Sequence, residues 1–550
     1  MEKRVILAIV ICGGIFVLWQ HFFPPPKPAL TPSAPVSTSA PASPVAAPSV
    51  PAPGPNGSAA PTTPAVNHPE QEVELVTPAV RFVLSSAGGT LKHAQLLEEK
   101  YRMVKGDPAS GYDVVRTETA ALAPLRTPFP GSSFVAPADG AWEVSRPAPD
   151  TVVFRAETDA VRIEKRYRAE SSRYRLQLDV TVENKTTKPA TEHLGLQVFA
   201  RQDPNGKGGG FLGGSSANTA SILCYVGDKT ERTSVDKLSK DKETVQKVGN
   251  VRWIGADEKF FLIAAVPLPE SPPHDRICTS RGQAGEIAEG ELTFSERELA
   301  AGAKTTYSFA IFAGPKVTEE LEKVQPGGEE VKLDEAVDVT LAKLSRPILW
   351  LLKFFQRYVH NWGLAIILLT VFIKLITFYP TQRSLLSAKK MQKLGPKMAA
   401  IRKKYENDRQ RQSTETMNLY KAHGVSPFGG CLPSLIQMPI WIALYSTLNY
   451  AVELHRSPFV LHIHDLTAKD PFYITPLLMG GVMFLQMKMS PTSPDNQQQA
   501  MMSLMMPVMF TAFSLVLPSG LALYMLTSYL IGILQQLYVN RVDRKSGGVA

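Results

Sequence analysis

Residues 362–379 read Trp-Gly-Leu-Ala-Ile-Ile-Leu-Leu-Thr-Val-Phe-Ile-Lys-Leu-Ile-Thr-Phe-Tyr, an apolar stretch long enough to cross a bilayer as a helix. Its one charge, Lys374, is also the only charged side chain inside any long apolar segment of the chain. A lone ammonium at the centre of a spanning helix costs roughly 2.5–3.5 kcal/mol on insertion scales. Because no Asp or Glu lies in the other apolar segments, we interpret this charge as one offered to a group outside the protein.

Six apolar segments predict a polytopic α-helical membrane protein with six spans. They cover residues 5–23, 361–379, 430–452, 472–487, 501–517 and 521–539. The loop 380–430 contains eleven Lys and Arg against three Asp and Glu, which places it in the cytoplasm by the positive-inside rule. Alternation along the chain then puts both termini in the cytoplasm and exports everything between the first two spans.

The N-terminal segment 1–23 admits three interpretations. A cleaved signal peptide lacks a small-residue cleavage site, since Phe22-Phe-Pro-Pro-Pro follows the apolar run. A lipoprotein site at Cys12 lacks a small preceding residue, because Ile11 is large. An uncleaved transmembrane anchor fits better.

Residues 24–70 contain fourteen prolines up to position 66, with many Ala and Ser, and are predicted to form a disordered linker.

Period-2 alternation of apolar and polar residues marks the exported region, for example at 161–167, 174–180 and 306–312. It predicts an all-β domain over residues 71–330, built as an antiparallel sandwich. No phosphate-binding loop occurs in the chain, which argues against an ATP-driven machine. His93 and His193 are interpreted as surface or structural histidines. Cys224 and Cys278 share an exported compartment, but their spacing does not decide whether they pair.

Two helical elements are predicted outside the spans. Residues 331–360 place apolar side chains three or four apart, which indicates an amphipathic helix, broken near Pro347. This helix either lies on the outer membrane surface or packs under the sandwich. Residues 384–423 predict a cytoplasmic helical hairpin that turns at Asn407-Asp408 and ends before Gly424. Its first helix has an apolar stripe and a basic run: Met398, Ile401, Tyr405, Arg402, Lys403 and Lys404.

Three kinds of partner suit the charge of this hairpin: anionic lipid headgroups, RNA or an acidic protein. An ordinary positive-inside loop would explain the sign of the charge, although not the length of the segment or its apolar stripe.

Polar residues within the spans suggest a hydrated groove. Thr370 and Thr377 lie four residues before and three after Lys374, hence on the same helix face. Gln437, Thr527 and Ser528 are the further polar candidates. The alternative for Lys374 is snorkelling to the cytoplasmic headgroups. Without intramembrane carboxylates or a filter loop, neither ion-coupled transport nor an ion channel is indicated.

Methionine is concentrated in the last third of the chain, with fourteen of sixteen residues between Met391 and Met525. Its flexible side chain suits surfaces that accept many apolar partners. We therefore predict a hydrophobic slide; simple lipid-facing bulk is the alternative. The slide residues are Met479, Met483, Met501, Met505 and Met509.

Several motifs in the last third resemble the YidC membrane-protein insertases. They are Asn361-Trp-Gly, Tyr379-Pro, Asn418-Leu-Tyr-Lys-Ala, Pro427-Phe-Gly-Gly-Cys-Leu-Pro, Leu435-Ile-Gln-Met-Pro, Asp470-Pro-Phe-Tyr, Met489-Ser-Pro and Pro518-Ser-Gly. The resemblance covers nearly all of residues 345–540, and the outer parts fit the Gram-negative form with a periplasmic β-supersandwich.

The resemblance implies an insertase and folding chaperone of the bacterial inner membrane, acting alone or with the Sec translocon. It implies a five-span core over residues 361–550 whose groove charge is Lys374, with Thr370, Gln437 and Tyr524 as neighbours. No cofactor, metal, nucleotide, covalent catalysis or specific nucleic acid is expected, and the hairpin would receive nascent substrates, ribosomes or targeting factors. The family usually carries arginine at the position of Lys374, and lysine lacks that bidentate fork.

Two other functions remain open from the residues alone. One is a passive channel or transporter for small solutes. The other is a membrane-anchored glycan-binding protein with the sandwich as its active part.

Overall fold

The structure is a computed structural model that describes residues 69–104, 106–137, 140–203, 219–241, 244–269, 276–328, 330–337, 342–425, 432–489 and 497–545. The predicted anchor 1–23 and all but the last two residues of the predicted linker 24–70 lie outside the described residues. The side chain of Met501 also lies outside them.

Residues 72–315 contain a β domain of eighteen described strands. In chain order these are β1 Glu72–Val76, β2 Val80–Ser85, β3 Thr90–Leu96, β4 Glu143–Ala148, β5 Thr151–Glu157, β6 Val161–Ala169, β7 Arg175–Asn184, β8 Ala190–Glu192, β9 Gly195–Arg201, β10 Ser221–Val226, β11 Lys229–Ser234, β12 Val245–Gly249, β13 Val251–Asp257, β14 Phe261–Pro267, β15 Arg276–Gln283, β16 Ile287–Phe294, β17 Arg297–Leu299 and β18 Lys304–Pro315.

Two large sheets dominate the β domain. Nine strands run in the order β11-β10-β13-β14-β18-β7-β6-β5-β4, and four run in the order β12-β15-β16-β9. A three-stranded sheet, β1-β2-β3, and the pair β8-β17 complete the described strands. All pairings between these strands are antiparallel, so the predicted antiparallel β architecture is confirmed.

The two large sheets pack face to face at one end. Strand β7 alternates strictly between partly exposed and buried residues, as a strand with one core-facing side must. Gly290 in β16 lies against Ile222 in β10, where an added Cβ would come within 2.6 Å of the isoleucine. A disulfide between Cys224 in β10 and Cys278 in β15 joins the same two sheets, which answers the question that sequence spacing left open.

The described helices are two short ones in the β domain and eight toward the C-terminus. They are α1 Val235–Asp241, α2 Thr318–Glu322, α3 Ala342–Val359, α4 Trp362–Lys393, α5 Gly395–Lys404, α6 Arg409–Ala422, α7 Leu432–Tyr450, α8 Ile474–Met489, α9 Gln497–Ser514 and α10 Ser519–Lys545. Short 3-10 turns occur at Glu99–Tyr101, Ala120–Leu122, Pro326–Gly328, Leu333–Ala336 and Val452–Leu454.

Two of the described helices are long and apolar enough to cross a membrane, Trp362–Lys393 and Ser519–Arg541. Ile474–Met489 and Met505–Ser514 are shorter apolar helices. Helix α4 does not end at Tyr379, where the apolar run stops, but continues through Pro380 to Lys393. At 1.5 Å per residue its 32 residues extend about 48 Å.

Helix α3 passes through Pro347 without the break expected there. The proline is the sixth helical residue, so its missing N–H removes one hydrogen bond close to the helix start. Ile348 and Leu352 are buried against α4 and α7. The opposite face carries exposed aromatic rings, with Trp350 stacked on Phe354 at 5.9 Å.

The segment predicted to form a hairpin contains two helices, α5 and α6, separated by a turn at residues 405–408. The Asp408 side chain caps α6 by accepting a hydrogen bond of 2.9 Å from the Arg411 N–H. Gly424 has φ of 61° directly after the helix end, a conformation that glycine adopts without strain. The first ten residues of the predicted segment 384–423 are the continuation of α4.

Candidate functional site

Lys374 lies on α4 between the buried and the exposed faces of that helix. Its neighbour Ile373 is buried within the helix bundle, whereas Leu375 and Ile376 are exposed. The Lys374 side chain is half-buried. It has no hydrogen bond or ion pair to any residue that the structure describes. The charge that the sequence singled out is therefore unneutralised within the described part of the chain.

The threonines beside Lys374 are satisfied by their own helix. Thr370 and Thr377 are buried. Their hydroxyls donate to the carbonyls of Ile366 at 2.7 Å and Ile373 at 2.8 Å. Thr527 on α10 does the same toward the carbonyl of Leu523 at 2.8 Å. Because each hydroxyl hydrogen is donated to a carbonyl of its own helix, these threonines tolerate an apolar neighbourhood without a partner from another helix.

A polar pair joins α7 to α10 inside the bundle. The Gln437 amide donates a hydrogen bond to the hydroxyl of Tyr524, which is buried. Ser528, one turn further along α10, is also buried. Helix α10 packs along α4, the helix that carries Lys374. The structure thus brings Gln437 and Tyr524 into contact and places the helices of the remaining candidates side by side.

The predicted methionine slide divides into two groups. Met479 and Met483 on α8 are buried, whereas Met505 and Met509 on α9 are 54% and 53% exposed. Gly480 lies directly against Thr511 of α9. This close approach turns the Met479 and Met483 side of α8 into the bundle, so among the predicted slide residues whose side chains the structure describes, Met505 and Met509 are the exposed ones.

The apolar stripe of the hairpin faces its own second helix. Met398, Ile401 and Tyr405 are half-buried, and the Tyr420 hydroxyl lies 3.2 Å from Sδ of Met398. The guanidinium of Arg411 lies 5.6 Å from the ring centre of Tyr405. The basic residues of the first helix remain on the surface: Arg402, Lys403 and Lys404 are exposed.

Two adjacent glutamines in the second half of α10 were not among the predicted site residues. Gln535 and Gln536 are buried. The amide of Gln535 donates to the Phe378 carbonyl of α4 at 3.1 Å, and that of Gln536 donates to the Met489 carbonyl of α8. Two consecutive amides in an apolar helix were the signal for this interhelical connection.

A second group of missed residues joins the β domain to the helix bundle. The Lys100 ammonium donates to the carbonyls of Val452 at 2.9 Å and Glu453 at 2.8 Å, just after α7. The ring of His455 packs on Phe260 with centroids 4.6 Å apart. Burial lowers the pKa of Lys100 to about 8 and that of His455 to about 4.

Lys353 on α3 adds an ionic contact at the same place, with Nζ 2.7 Å from Glu319 and 2.6 Å from Glu453. No group of three or more His, Cys, Asp or Glu side chains within the described ranges is placed to hold a metal ion.

An antiparallel β domain attached to a bundle of apolar helices, two of them long enough to cross a membrane, is typical of a membrane protein, and here a cation and a polar pair lie among the helices. Residues 354–546 match the family described as 60Kd inner membrane protein, and residues 72–351 match the YidC periplasmic domain. The chain belongs to the YidC family of membrane protein insertases. It inserts nascent membrane proteins, and it resides in the inner membrane.

Known insertases resemble the chain over nearly its whole length. The membrane protein insertase YidC of Syntrophus aciditrophicus (strain SB) is 36% identical over 98% of this chain and 100% of its own. That of Anaeromyxobacter sp. (strain Fw109-5) is 36% identical over 86% of this chain and 85% of its own. A crystal structure of an active YidC insertase with its first transmembrane domain, 20% identical, aligns with a TM-score of 0.37 over 86% of this chain and 93% of that one.

Proposed function

We propose that Lys374 attracts the polar, acidic segment of a substrate part-way into the membrane while the apolar span of that substrate moves into lipid. The observation that carries this proposal is the half-buried ammonium without a partner among the described residues. Thr370, Thr377, Gln437, Tyr524, Thr527 and Ser528 are the proposed polar neighbours along the route. Lysine favours attraction by charge and hydration over a fixed bidentate clamp.

The apolar half of the reaction needs a surface along which the substrate span can leave. Met505 and Met509 present flexible side chains outside the bundle. Leu375 and Ile376 on α4 are exposed apolar side chains as well. Transfer of an apolar span into lipid gains roughly 25 cal/mol per Å² of apolar surface removed from water. This gain drives insertion without a nucleotide, a cofactor or a covalent intermediate.

The proposed topology has six spans with both termini in the cytoplasm. Residues 1–23 form the anchor, 24–70 the linker, 71–330 the periplasmic supersandwich, 331–360 an interfacial helix and 361–550 the core of five spans. The exposed aromatic face of α3, with Trp350 and Tyr358, supports its place at the membrane surface, where such rings are favoured.

The cytoplasmic hairpin is proposed to receive substrates, ribosomes or targeting factors, and to contact anionic lipids. Its exposed run Arg402, Lys403 and Lys404 supports this role, since clustered basic residues attract anionic surfaces. Cooperation with the Sec translocon is part of the same proposal. No specific nucleic acid is proposed as a partner.

The test uses the purified full chain in liposomes and a single-span substrate with an acidic exported segment. A charge pair at 4 Å is worth between about 1 kcal/mol in water and about 4 kcal/mol near a protein surface. A hydrated groove lies toward the lower value, so Lys374→Ala should slow insertion about fivefold to tenfold. Lys374→Arg should retain the insertion rate. A substrate with Asn and Gln in place of its acidic residues should be inserted at the same rate by the wild type and by both variants.

Lys390→Ala is the matched control, because Lys390 is an exposed lysine further along the same helix. Equal insertion by the wild type and both Lys374 variants would assign Lys374 to snorkelling. Solute flux without protease-protected insertion would replace the proposal with the channel function.

A further inference from the structure

An open cleft of about 470 Å³ lies in the β domain, apart from the helix bundle. This volume is within the range of small-ligand sites, about 300–1,000 Å³. Its lining is almost entirely polar: Lys92, His93, Asp113, Val115, Arg116, Thr117, Glu118, Arg201 and Gln202.

A β-bulge shapes one wall of the cleft. Strand β3 pairs with β2 through Val83 opposite His93 and Leu84 opposite Leu91, which leaves Lys92 as an extra residue. A bulge re-aims side chains that would otherwise alternate between faces. As a result the consecutive residues Lys92 and His93 both line the cleft.

His93 is held in one orientation by Asp113. Oδ1 of Asp113 accepts the backbone N–H groups of Ala94 at 2.9 Å and Val115 at 3.0 Å. Oδ2 lies 2.6 Å from Nδ1 of His93. A carboxylate only accepts, so Nδ1 carries the hydrogen. The Asp113 carboxylate is thereby occupied, and Nε2 is the remaining polar atom of the histidine.

The cleft offers more donors than acceptors. Arg201 donates through Nη1 to the Arg116 carbonyl at 3.2 Å and to Glu118 at 3.0 Å, and the Glu118 side chain is 87% exposed, so the ion pair is weak. Arg116 is exposed at the same wall. The hydroxyl of the buried Thr117 has no hydrogen-bond partner among the described residues. A donor-rich lining with two guanidinium groups suits an oxyanion, above all a carboxylate.

The cleft communicates with the end of the helix bundle through a short series of contacts. Arg116 donates to the Tyr112 hydroxyl at 2.8 Å. The Tyr112 ring stacks on Phe261 with centroids 4.2 Å apart, and Phe261 lies 6.1 Å from His455. His455 follows α7 by five residues. A polypeptide segment emerging beside this end of the bundle is therefore close to the cleft.

We propose that this cleft binds acidic side chains of the segment that a substrate exports, with Arg116 and Arg201 as the carboxylate donors. The proposal rests on the proposed function, since it needs an exported segment on the side of the β domain. It gives the β domain a substrate-binding role separate from that of Lys374.

The test measures fluorescence anisotropy of a labelled ten-residue peptide rich in Asp and Glu against the full chain in nanodiscs of zwitterionic lipid. The chain carries Arg402→Gln, Lys403→Gln and Lys404→Gln throughout, which removes the basic surface of the hairpin. The acidic peptide should bind at least tenfold more tightly than its Asn and Gln counterpart. Arg116→Gln combined with Arg201→Gln should weaken binding at least tenfold, since each hydrogen bond to a charged group matters about that much.

The matched control combines Arg155→Gln with Arg166→Gln, which removes two exposed arginines that pair with Glu164 elsewhere in the β domain. This control should bind the peptide like the parent chain. Equal affinities for the two peptides, or for the cleft and control variants, would overturn the proposal. Displacement by inorganic phosphate at the peptide's own affinity would also overturn it, by assigning the cleft to a phosphate ligand.

The two proposals fail separately. The loss of peptide binding caused by the two cleft substitutions should be the same in a chain that also carries Lys374→Ala, because Lys374 does not line the cleft. A chain that binds no peptide but shows the Lys374 effect on insertion would reject the cleft and retain the proposed function.

Discussion

Two adjacent glycines on α8 provide a sharp test of how the helix bundle is packed. An added Cβ at Gly480 would overlap Oγ1 of Thr511 and lie 3.1 Å from two of its carbons. The Thr511 hydroxyl is itself fixed, because it donates to the Pro507 carbonyl at 2.6 Å. At Gly481 an added Cβ meets nothing within 4 Å. The same substitution to alanine therefore meets opposite surroundings one residue apart.

The expected magnitudes follow from this difference. Alanine favours a helix over glycine by up to about 1 kcal/mol. At Gly480 this gain opposes an overpacking cost of about 1–3 kcal/mol and the loss of a hydrogen bond worth about 1 kcal/mol if Thr511 rotates. Gly480→Ala should lower the free energy of unfolding by about 1–3 kcal/mol. Gly481→Ala should leave it unchanged or raise it by up to about 1 kcal/mol.

The measurement is unfolding of the full chain by dodecyl sulfate in mixed micelles, followed by helical circular dichroism. Adding Thr511→Ala to Gly480→Ala should recover the lost stability, since the two sites are in contact and their effects are not additive. Equal stabilities for Gly480→Ala and Gly481→Ala would refute the close approach of α8 and α9, and with it the buried position of Met479 and Met483.

Two predictions concern the β domain. Replacing both Cys224 and Cys278 by alanine opens a loop with a sequence separation of 54, which should cost about 4 kcal/mol by the chain-entropy model. Urea-dependent proteolysis should show a lower urea midpoint of unfolding for the variant than for the wild type. Reduction of the disulfide should lower the wild-type midpoint by a similar amount. An unchanged midpoint would contradict stabilisation by the disulfide. Burial raises the pKa of Glu258 from its ordinary 4.5 to about 7. The folded state then holds a proton that the unfolded state has lost, so stability should fall as pH rises between these values, and Glu258→Gln should flatten that dependence in the same assay.

Local signals allowed the sequence to predict several elements correctly. The hairpin was predictable because a capping aspartate, a turn and a terminal glycine lie next to the residues they organise. The end of α4 was not, because hydropathy reports where apolar residues stop and not where helical hydrogen bonds stop. Beyond Tyr379 the chain continues with good helix formers such as Leu, Ala, Lys and Gln, and one proline did not end the helix.

In the candidate site, too, features that depend on neighbouring residues could be predicted, whereas contacts between distant residues could not. Lys374 stood out because a charge within an apolar run is visible from its immediate neighbours. The contact between Gln437 and Tyr524 joins residues 87 positions apart, which no periodicity within one helix reports. The orientation of Met479 depends on a glycine that packs against the next helix, so a composition count predicted a methionine surface but not which members are buried.

Two sets of cations among the described residues differ in how firmly they are held by other groups of the protein. Lys100 and Lys353 are engaged with carbonyls or carboxylates that join the β domain to the bundle, so their charge is committed to the fold. Lys374 has no side-chain partner among the described residues, and the arginines of the cleft contact a hydroxyl, a carbonyl and an exposed carboxylate. These are the charges that we propose to act on a substrate.

Weak successive sites suit a protein that must release what it binds. A single strong carboxylate site would hold the acidic segment and stop insertion, just as conduction through a pore requires sites that are favourable enough to enter and weak enough to leave. A lysine in a hydrated setting is worth about 1 kcal/mol per charge contact, and the second proposed site lies on the β domain. An acidic segment would thus be attracted first within the bundle and then beyond it, while burial of the apolar span in lipid makes the transfer irreversible.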